Sequence, residues 1–248
     1  MKTLALLTLI LTLILTASIF AKAETDQPVH LFILSGQSNM QGMDPETGFM
    51  TEATKLFGDE KVVYIKVAKG GQPICRWLEE WETIATEAGL DENHRKRIHK
   101  GGEVEFYQPI LDQYEEMLKQ HPKFASITFC WMQGERDAKM QWASVYEESL
   151  MGLYQQMSED LGRDDIIFVV GRLSDNGIGK EQWDQIRVIQ VKVADSDDKF
   201  AWVDTDDLND GKNRKGREIK DDLHYSSEGY RIFGERMAAE AIQRIKGK

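Results

Sequence analysis

The stretch of sequence that decides the fold is Leu31-Phe32-Ile33-Leu34-Ser35-Gly36-Gln37-Ser38-Asn39-Met40. An apolar run ends here in Ser-Gly and leads directly into a second serine. This order predicts a buried strand, a tight glycine turn, and a Ser38 hydroxyl exposed where the strand ends. In an open α/β sheet, ligands bind outside the carboxyl ends of the strands. Ser38 is therefore the candidate nucleophile.

Four more short apolar runs follow the first, and longer segments separate them. Short, continuously apolar runs are typical of parallel strands that are covered on both faces. Because helical patterns lie between or after these runs, we predict a three-layer α/β/α sandwich around a parallel sheet of about five strands. The predicted strands are His30–Ser35, Val62–Ala68, Ala125–Met132, Ile166–Gly171 and Phe200–Val203, and the predicted helices are Val104–Gln120, Trp142–Leu161, Glu181–Ala194 and Ser226–Ile245.

Two polar segments, Glu79–Gly102 and Asp204–Asp222, do not fit this alternation. We predict that both are long surface loops, which are often functional in a compact domain. The basic run at 93–100 either helps to hold an anionic substrate or belongs to a solvated loop. The spacing of aspartates in the second segment is similar to that of an EF-hand calcium loop. However, with Gly211 at the sixth position, Leu208 occupies the third, which needs an oxygen ligand, and Arg217 the twelfth, which needs a glutamate. We therefore predict no calcium site.

The first 23 residues have the pattern of an export signal. Lys2 supplies a positive charge, residues 4–20 are mostly apolar, and Ala21-Lys22-Ala23 has the small residues that a signal peptidase requires. We predict cleavage after Ala23 and a secreted or periplasmic protein whose single domain spans residues 24–248. Cleavage would leave no stable membrane association. An uncleaved anchor is the alternative, because the apolar run approaches the length of a membrane span.

Charge and cysteine content narrow the possible partners. The formal net charge is −11, from 31 Lys and Arg against 42 Asp and Glu, which argues against a nucleic-acid partner. We expect the two cysteines, Cys75 and Cys130, to be buried free thiols, although a disulfide is allowed in an exported protein. The sequence gives no indication of an oligomeric state.

A serine hydroxyl needs a base to take its proton and a further group to orient that base. The block Asp221-Asp222-Leu223-His224 near the other end of the chain supplies both. Acyl transfer also needs hydrogen-bond donors where the carbonyl oxygen becomes an oxyanion. Two further blocks follow predicted strands and offer a glycine N–H and a glutamine amide for this purpose, Gly70-Gly71-Gln72-Pro73-Ile74 and Gln133-Gly134-Glu135.

Together, the four blocks resemble those of the SGNH (GDSL-type) hydrolase superfamily. They are most similar to its carbohydrate esterases of the sialate O-acetylesterase and family-six acetylxylan esterase type. The specific signal lies in Gln37-Ser38-Asn39-Met40 combined with Trp131-Met132-Gln133-Gly134-Glu135. Gln72 stands where many relatives carry threonine or serine. The resemblance covers the chain from about residue 30 to its end and implies a flavodoxin-like fold.

The resemblance also assigns roles to individual residues. It implies Ser38 as the nucleophile and His224 as the base. The acid that orients His224 is Asp221, three residues before it, with Asp222 as the competitor. The implied oxyanion donors are the N–H of Ser38, the N–H of Gly71 and the amide of Gln133. The mechanism requires no metal and no cofactor.

Other polar and aromatic residues keep more than one interpretation. Asn39 is a possible contact for the substrate or for the catalytic residues. Glu135 could hold Arg187, act as a second acid or order its own loop. Arg187 and Gln190 share a helix face and either reach the region of Glu135 or form a surface pair. Four tryptophans either stack on sugar rings or pack in the core, and four histidines show no spacing that indicates a metal site. These are Trp77, Trp81, Trp131 and Trp183, and His30, His94, His99 and His121.

The function that the resemblance implies is an exported serine esterase that removes O-acetyl groups from a carbohydrate. An acetylated polysaccharide and an acetylated sialic acid both fit this expectation. One alternative is a lipase, thioesterase or arylesterase of the same superfamily, which a broad apolar groove beside Ser38 would favour. The other is a carbohydrate-binding protein on the same fold that has lost turnover.

Overall fold

The computed structural model describes residues 28–98 and 104–247, and its centre is a sheet of five parallel strands. The strands are β1 (Val29–Gly36), β2 (Val62–Ala68), β3 (Phe124–Met132), β4 (Ile167–Gly171) and β5 (Phe200–Val203). They lie side by side in the order β2-β1-β3-β4-β5. The predicted strands are confirmed to within one residue at each end. Four of them are largely buried apolar runs, whereas the edge strand β2 is only partly buried.

Helices follow the strands along the chain. They are α1 (Ser38–Gly42), α2 (Phe49–Phe57), α3 (Trp81–Glu87), α4 (Glu92–Ile98), α5 (Gln108–Gln120), α6 (Glu135–Met140), α7 (Ala143–Asp160), α8 (Glu181–Ala194) and α9 (Ser227–Lys246). The predicted α/β/α sandwich is confirmed. The helix predicted from Val104 begins at Gln108, because residues 105–107 form a turn.

Side chains that alternate along β3 contact helices on opposite faces of the sheet. The indole N–H of Trp131 lies 3.4 Å from the hydroxyl of Tyr146 in α7. The neighbouring Met132 points to the other face, where its sulfur lies 3.6 Å from the Tyr225 hydroxyl, just before α9. A Cβ placed on Gly171 would meet both the Met132 sulfur and the ring of Phe233 in α9. The core therefore occupies both sides of the sheet.

The register of the sheet brings the sequence blocks to one edge. Gly36, the last residue of β1, pairs with Ala68 of β2 on one side and with Met132 of β3 on the other. The chain therefore leaves all three strands at the same level. The order of the strands also reverses direction at β1, and such a reversal opens the crevice in which α/β sheets bind ligands.

The segment Glu79–Gly102, predicted to be a surface loop, instead contains α3 and α4 in its described part. Trp81, Ile84 and Ala85 form a buried stripe at helical spacing, which the surrounding charges conceal in the sequence. Arg95, from the basic run, is buried and donates to Glu82 and Thr86. In the structure Arg95 joins two helices, so the proposal that this run holds an anionic substrate is not supported at this residue.

The second polar segment, Asp204–Asp222, is a loop that carries a short antiparallel ribbon. The ribbon pairs β6 (Gly211–Lys212) with β7 (Glu218–Ile219). The loop is less solvated than we predicted, because Thr205, Leu208 and Asn209 are buried. It is therefore anchored to the domain close to the block that contains His224.

Three further expectations concern the ends of the chain, the cysteines and the tryptophans. The predicted export signal, residues 1–23, lies outside the described residues. Within the two described ranges, no helix is long and apolar enough to cross a membrane. Both cysteines are free and buried, as expected. All four tryptophans considered for sugar stacking are buried core residues, so the sugar-stacking interpretation is wrong for Trp77, Trp81, Trp131 and Trp183.

Candidate active site

The turn after β1 is built around Gly36. Its φ is +136°, and a Cβ at this position would lie 2.0 Å from the carbonyl oxygen of Met132. Only glycine permits this approach between β1 and β3. The next residue, Gln37, donates its N–H to the same carbonyl at 2.8 Å. The chain then turns into α1, whose first residue is the half-buried Ser38.

The glycine pair after β2 lies beside Ser38. A Cβ placed on Gly70 would be 3.4 Å from the Cβ of Ser38, and the Gly70 N–H donates to the side-chain oxygen of Gln41 at 2.8 Å. Gly71 is exposed with a φ of +71°, and a Cβ there would meet nothing within 4 Å. The structure therefore brings the Gly70–Gly71 turn to Ser38 and leaves open space next to Gly71.

The third predicted oxyanion donor, the amide of Gln133, is fully buried. Its nitrogen lies 3.2 Å from the carbonyl oxygen of Gln72 and 3.3 Å from the side-chain oxygen of Gln37, and it also contacts the carboxylate of Asp137. Its oxygen accepts from the Tyr146 hydroxyl at 3.0 Å. An amide nitrogen has only two hydrogens, so this arrangement directs none of them to the solvent side of the site.

The histidine block places Asp222, rather than Asp221, next to His224. Oδ1 of Asp222 lies 3.9 Å from Nδ1 of His224 and accepts the His224 backbone N–H at 2.9 Å. Asp221 has a φ of +49° and shapes the turn: its N–H donates to Asp210 at 2.7 Å, and its carbonyl accepts from Asn176 at 2.7 Å. Among the described residues, no hydrogen bond or ion pair joins the Asp221 carboxylate to His224.

The buried side chain of Asn39 connects three parts of the site. Its Nδ2 donates to Glu135 and to the carbonyl oxygen of Leu223, both at 3.1 Å. Its Oδ1 accepts from the Tyr230 hydroxyl of α9 at 3.2 Å. Asn39 follows Ser38 and Leu223 precedes His224, so one amide joins the turn of the candidate nucleophile to the loop of the candidate base.

Glu135 begins α6 and lies buried behind Asn39. One carboxylate oxygen accepts from Asn39, and the other has no hydrogen-bond partner among the described residues. Burial raises the pKa of Glu135 to about 7. Burial likewise raises the pKa of Asp137, two residues further on, to about 7. Two carboxyl groups, one in the third block and one just after it, are thus held where their charged forms are disfavoured.

Asp137 was not predicted from the sequence, although it connects two of the blocks. Its carboxylate oxygen Oδ2 accepts the backbone N–H of Ile74 at 3.1 Å and also contacts the Gln133 amide. The glycine turn of the second block is therefore fixed to the third block through a buried acid. Its place two residues after Glu135 is the only signal in the sequence, and that signal does not distinguish it from a surface acid on a helix.

Arg187 does not contact Glu135. Its guanidinium forms two hydrogen bonds with the Asp206 carboxylate, at 2.7 and 2.9 Å, and also contacts the carbonyl of Leu173. The nearby Gln190 does reach the third block, because its Nε2 donates to the carbonyl oxygen of Gln133 at 2.8 Å. Arg187 therefore anchors the loop that begins at Asp204, whereas Gln190 supports the strand end. Within the described ranges, no three His, Cys, Asp or Glu side chains are grouped to hold a metal ion.

The parallel sheet and the four blocks gathered at the carboxyl ends of its strands form the arrangement that the resemblance to SGNH hydrolases implies. Residues 41–243 match the family model described as "SASA: Carbohydrate esterase, sialic acid-specific acetylesterase". The chain therefore belongs to this family, and it is a carboxylic ester hydrolase. The match begins after Ser38, so it does not itself test the nucleophile.

Solved structures show the same fold at low sequence identity. A protein from Arabidopsis thaliana aligns with a TM-score of 0.60 and 18% identity, over 87% of this chain and 98% of its own. A carbohydrate acetylesterase from Xanthomonas citri aligns with a TM-score of 0.60 and 15% identity, over 88% of this chain and 57% of its own. A carbohydrate esterase of family 3 from Talaromyces cellulolyticus aligns with a TM-score of 0.52 and 11% identity, over 89% of this chain and 99% of its own. No curated protein matches the sequence.

Proposed function

We propose that the protein is an exported serine esterase that removes O-acetyl groups from a carbohydrate. The observation that carries the proposal is the convergence of the Ser38 turn and the His224 loop on the single side chain of Asn39. The open space at Gly71 lies beside the same turn. Membership of the carbohydrate esterase family supports an acetylated sugar as the substrate.

The reaction follows from the roles of these groups. The imidazole of His224 takes the proton of the Ser38 hydroxyl while the serine oxygen attacks the carbonyl carbon of the acetyl ester. The carbonyl electron pair moves onto oxygen, and the N–H groups of Ser38 and Gly71 stabilise that charge. His224 then protonates the departing sugar oxygen, leaving an acetyl-enzyme. Water, activated by the same imidazole, releases acetate and restores Ser38.

We propose Asp222 as the acid that orients His224. Its carboxylate lies 3.9 Å from Nδ1 and also accepts the backbone N–H of the same histidine. A carboxylate in this place stabilises the imidazolium that forms during the reaction. A small closing movement of the exposed His224 ring would turn this contact into a hydrogen bond, and such contacts often tighten only when substrate is bound.

The surroundings of α1 argue against a lipase. The cleft of about 750 Å³ next to this helix is lined by Lys66, Lys212, Arg214 and Arg231, among other residues. A lipase needs a broad apolar groove for its acyl chain, whereas charged side chains suit a hydrated, polar substrate. An acetyl group requires only a small space for its methyl, so the charged cleft is compatible with acetylated sugars.

The test is acetate release by the purified protein from 4-nitrophenyl acetate and from a panel of acetylated sugars, compared with Ser38→Ala. We expect this variant to lose about 10⁴-fold or more in kcat, because it removes the attacking atom. Ser144→Ala, which changes an exposed serine of α7, is the matched control and should retain full activity. Equal acetate release by Ser38→Ala and the wild-type protein would refute the serine mechanism.

A further inference from the structure

The cleft next to α1 holds a group of cations that the proposed reaction does not use. Gln41, Lys66, Lys212, Arg214 and Tyr230 are among its lining residues. Neither Ser38 nor His224 lines it. Its volume of about 750 Å³ is typical of sites that bind small molecules. The cleft is therefore a separate compartment that begins beside the candidate nucleophile.

Two of these cations, Lys66 and Arg214, pair with no carboxylate among the described residues. Lys66 donates to the carbonyl oxygens of Gln41, at 3.2 Å, and Met43. Arg214 donates to the carbonyl oxygen of Gly42. An ammonium group has three donors and a guanidinium has five, so both retain N–H groups for a ligand. Burial lowers the pKa of Lys66, the Asp44 carboxylate partly offsets this shift, and Arg214 adds to it, so the two cations lie close enough to repel each other.

Two acids, Asp44 and Glu228, also line the cleft, but neither forms an ion pair with Lys66 or Arg214 within the described ranges. Glu228 pairs with Arg231, and Asp44 accepts the N–H of Glu46. Lys212 lies 3.7 Å from Glu218 across the β6–β7 ribbon. The local excess of positive charge contrasts with the net charge of −11 on the whole chain. An anionic ligand would be repelled by most of this surface and attracted to this cleft.

The cleft is connected directly to the catalytic region. The guanidinium of Arg214 lies 5.1 Å from the centre of the Tyr230 ring, and the Tyr230 hydroxyl donates to Asn39. The carbonyls that hold the two cations end the short helix that Ser38 begins. Four residues of helix span about 6 Å along the axis, so the cations lie one helical turn beyond the serine. This displacement suits a charged group beyond the sugar that carries the acetyl.

We propose that Lys66 and Arg214 bind the carboxylate of an acidic sugar unit next to the acetylated one, so that the substrate is an acetylated polyuronate. This inference rests on the proposed function, because it concerns the same substrate. The competing explanation is that the two cations only cap the carbonyl groups at the end of α1. In that case they stabilise the fold without selecting a substrate.

The test compares acetylated oligogalacturonides whose carboxylates are free with the same compounds after methyl esterification. The wild-type protein should prefer the free acids, and Arg214→Gln should lower this selectivity ratio about tenfold, mainly by raising KM for the acids. Lys66→Gln is the second variant. Lys215→Gln removes a neighbouring exposed cation that does not line the cleft, and it should behave as the wild type.

Each outcome has a separate meaning. If the wild-type protein shows no preference for free carboxylates, or if Arg214→Gln lowers only the melting temperature, the inference is overturned and the cations serve as caps. If Arg214 matters for an O-acetylated sialic acid and not for oligogalacturonides, the anion lies on the acetylated unit itself, and the inference is again overturned. If the wild-type protein releases acetate from no sugar at all, the proposed function has failed instead.

Discussion

Asp221 and Asp222 differ in what surrounds them, and the difference predicts their importance. The carboxylate of Asp222 faces the ring and the backbone N–H of His224, whereas Asp221 occupies a turn with positive φ. We expect Asp222→Asn to lower kcat by roughly 10³- to 10⁴-fold, because the amide does not stabilise an imidazolium. Asp221→Asn should cost less than about tenfold, since asparagine tolerates positive φ.

The measurement is the steady-state kinetics of both variants with 4-nitrophenyl acetate. Thermal melting of each variant serves as the control for folding. The opposite ranking, with Asp221→Asn the more damaging substitution, would return the role of the acid to the position that the resemblance favours.

Glu135 predicts a pH dependence of stability. Its pKa is about 7 in the folded protein and near the ordinary 4.5 when unfolded, so between these values the folded state binds the extra proton. Stability from this group is therefore present at low pH and lost as the pH rises from about 4.5 to 7. A shift of this size corresponds to roughly 3 kcal/mol. The neutral variant Glu135→Gln should lack this dependence.

Urea unfolding of the wild-type protein and Glu135→Gln at several values between pH 4.5 and 7.5 measures the effect. The amide nitrogen of glutamine would take the place of an oxygen that has no partner, which adds a constant cost of about 1–3 kcal/mol. The prediction therefore concerns how steeply the free energy of unfolding changes with pH, and not the constant difference between the two proteins. Parallel curves for the two proteins would show that Glu135 does not titrate in this range. Asp137 is present in both proteins, but the charge of Glu135 is one of the causes that raise its pKa, so its contribution cancels only in part.

At the scale of elements, the junction between β1 and α1 depends on Gly36. We expect Gly36→Ala to destabilise the protein by about 3 kcal/mol or more, because the new Cβ would lie 2.0 Å from the carbonyl oxygen of Met132. Gly58→Ala is the matched control. Gly58 also has positive φ, at +87°, but a Cβ there meets nothing within 4 Å. Its φ of +87° and ψ of 151° lie in a region that is essentially restricted to glycine, so the substitution should cost about 1–3 kcal/mol for the backbone conformation alone.

Denaturant unfolding of both glycine variants checks this prediction, together with activity after refolding. Similar losses of stability at the two positions would mean that backbone conformation, rather than the close approach of β1 to β3, explains the need for glycine. Loss of activity in Gly36→Ala alone would agree with its position two residues before Ser38.

Arg187 also belongs to this scale, because it joins α8 to the loop that starts at Asp204. Its two hydrogen bonds to Asp206 and its contact with Leu173 are partly buried. We expect Arg187→Met to lower the free energy of unfolding by about 1–3 kcal/mol. At a temperature where the variant stays folded, kcat should change by less than about threefold. A large loss of kcat with unchanged stability would indicate a direct role in the reaction.

At the scale of the whole molecule, we predict from the N-terminal sequence that a signal peptidase cleaves the chain after Ala23. The small residues Ala21 and Ala23 should direct cleavage, so the mature protein should begin at Glu24. Expression in a host with a secretory pathway, followed by intact-mass measurement of the exported fraction, tests this. Recovery of the uncleaved mass in the membrane fraction would support the anchor instead.

Much of the architecture follows from the sequence alone, because a parallel strand covered on both faces has a continuous apolar signature. The four largely buried strands were predictable for this reason, and the turns were predictable from their glycines. The helix of Trp81 was not, since its buried stripe lies among charged residues. The environment of Gln133 and the choice between adjacent aspartates depend on distant partners, namely Tyr146 and a turn with positive φ at Asp221. Such contacts have no local pattern.

The position of Asn39 has a consequence for the time at which activity arises. Its three partners come from the middle and the end of the chain: Glu135, Leu223 and Tyr230. A ribosome therefore makes the serine turn long before it makes the histidine loop or the last helix. The growing polypeptide therefore carries the Ser38 hydroxyl before the proposed base has been made, and the hydroxyl alone is a weak nucleophile. Under the proposed mechanism, it would gain esterase activity only when its final segment docks, so incomplete copies should be inactive.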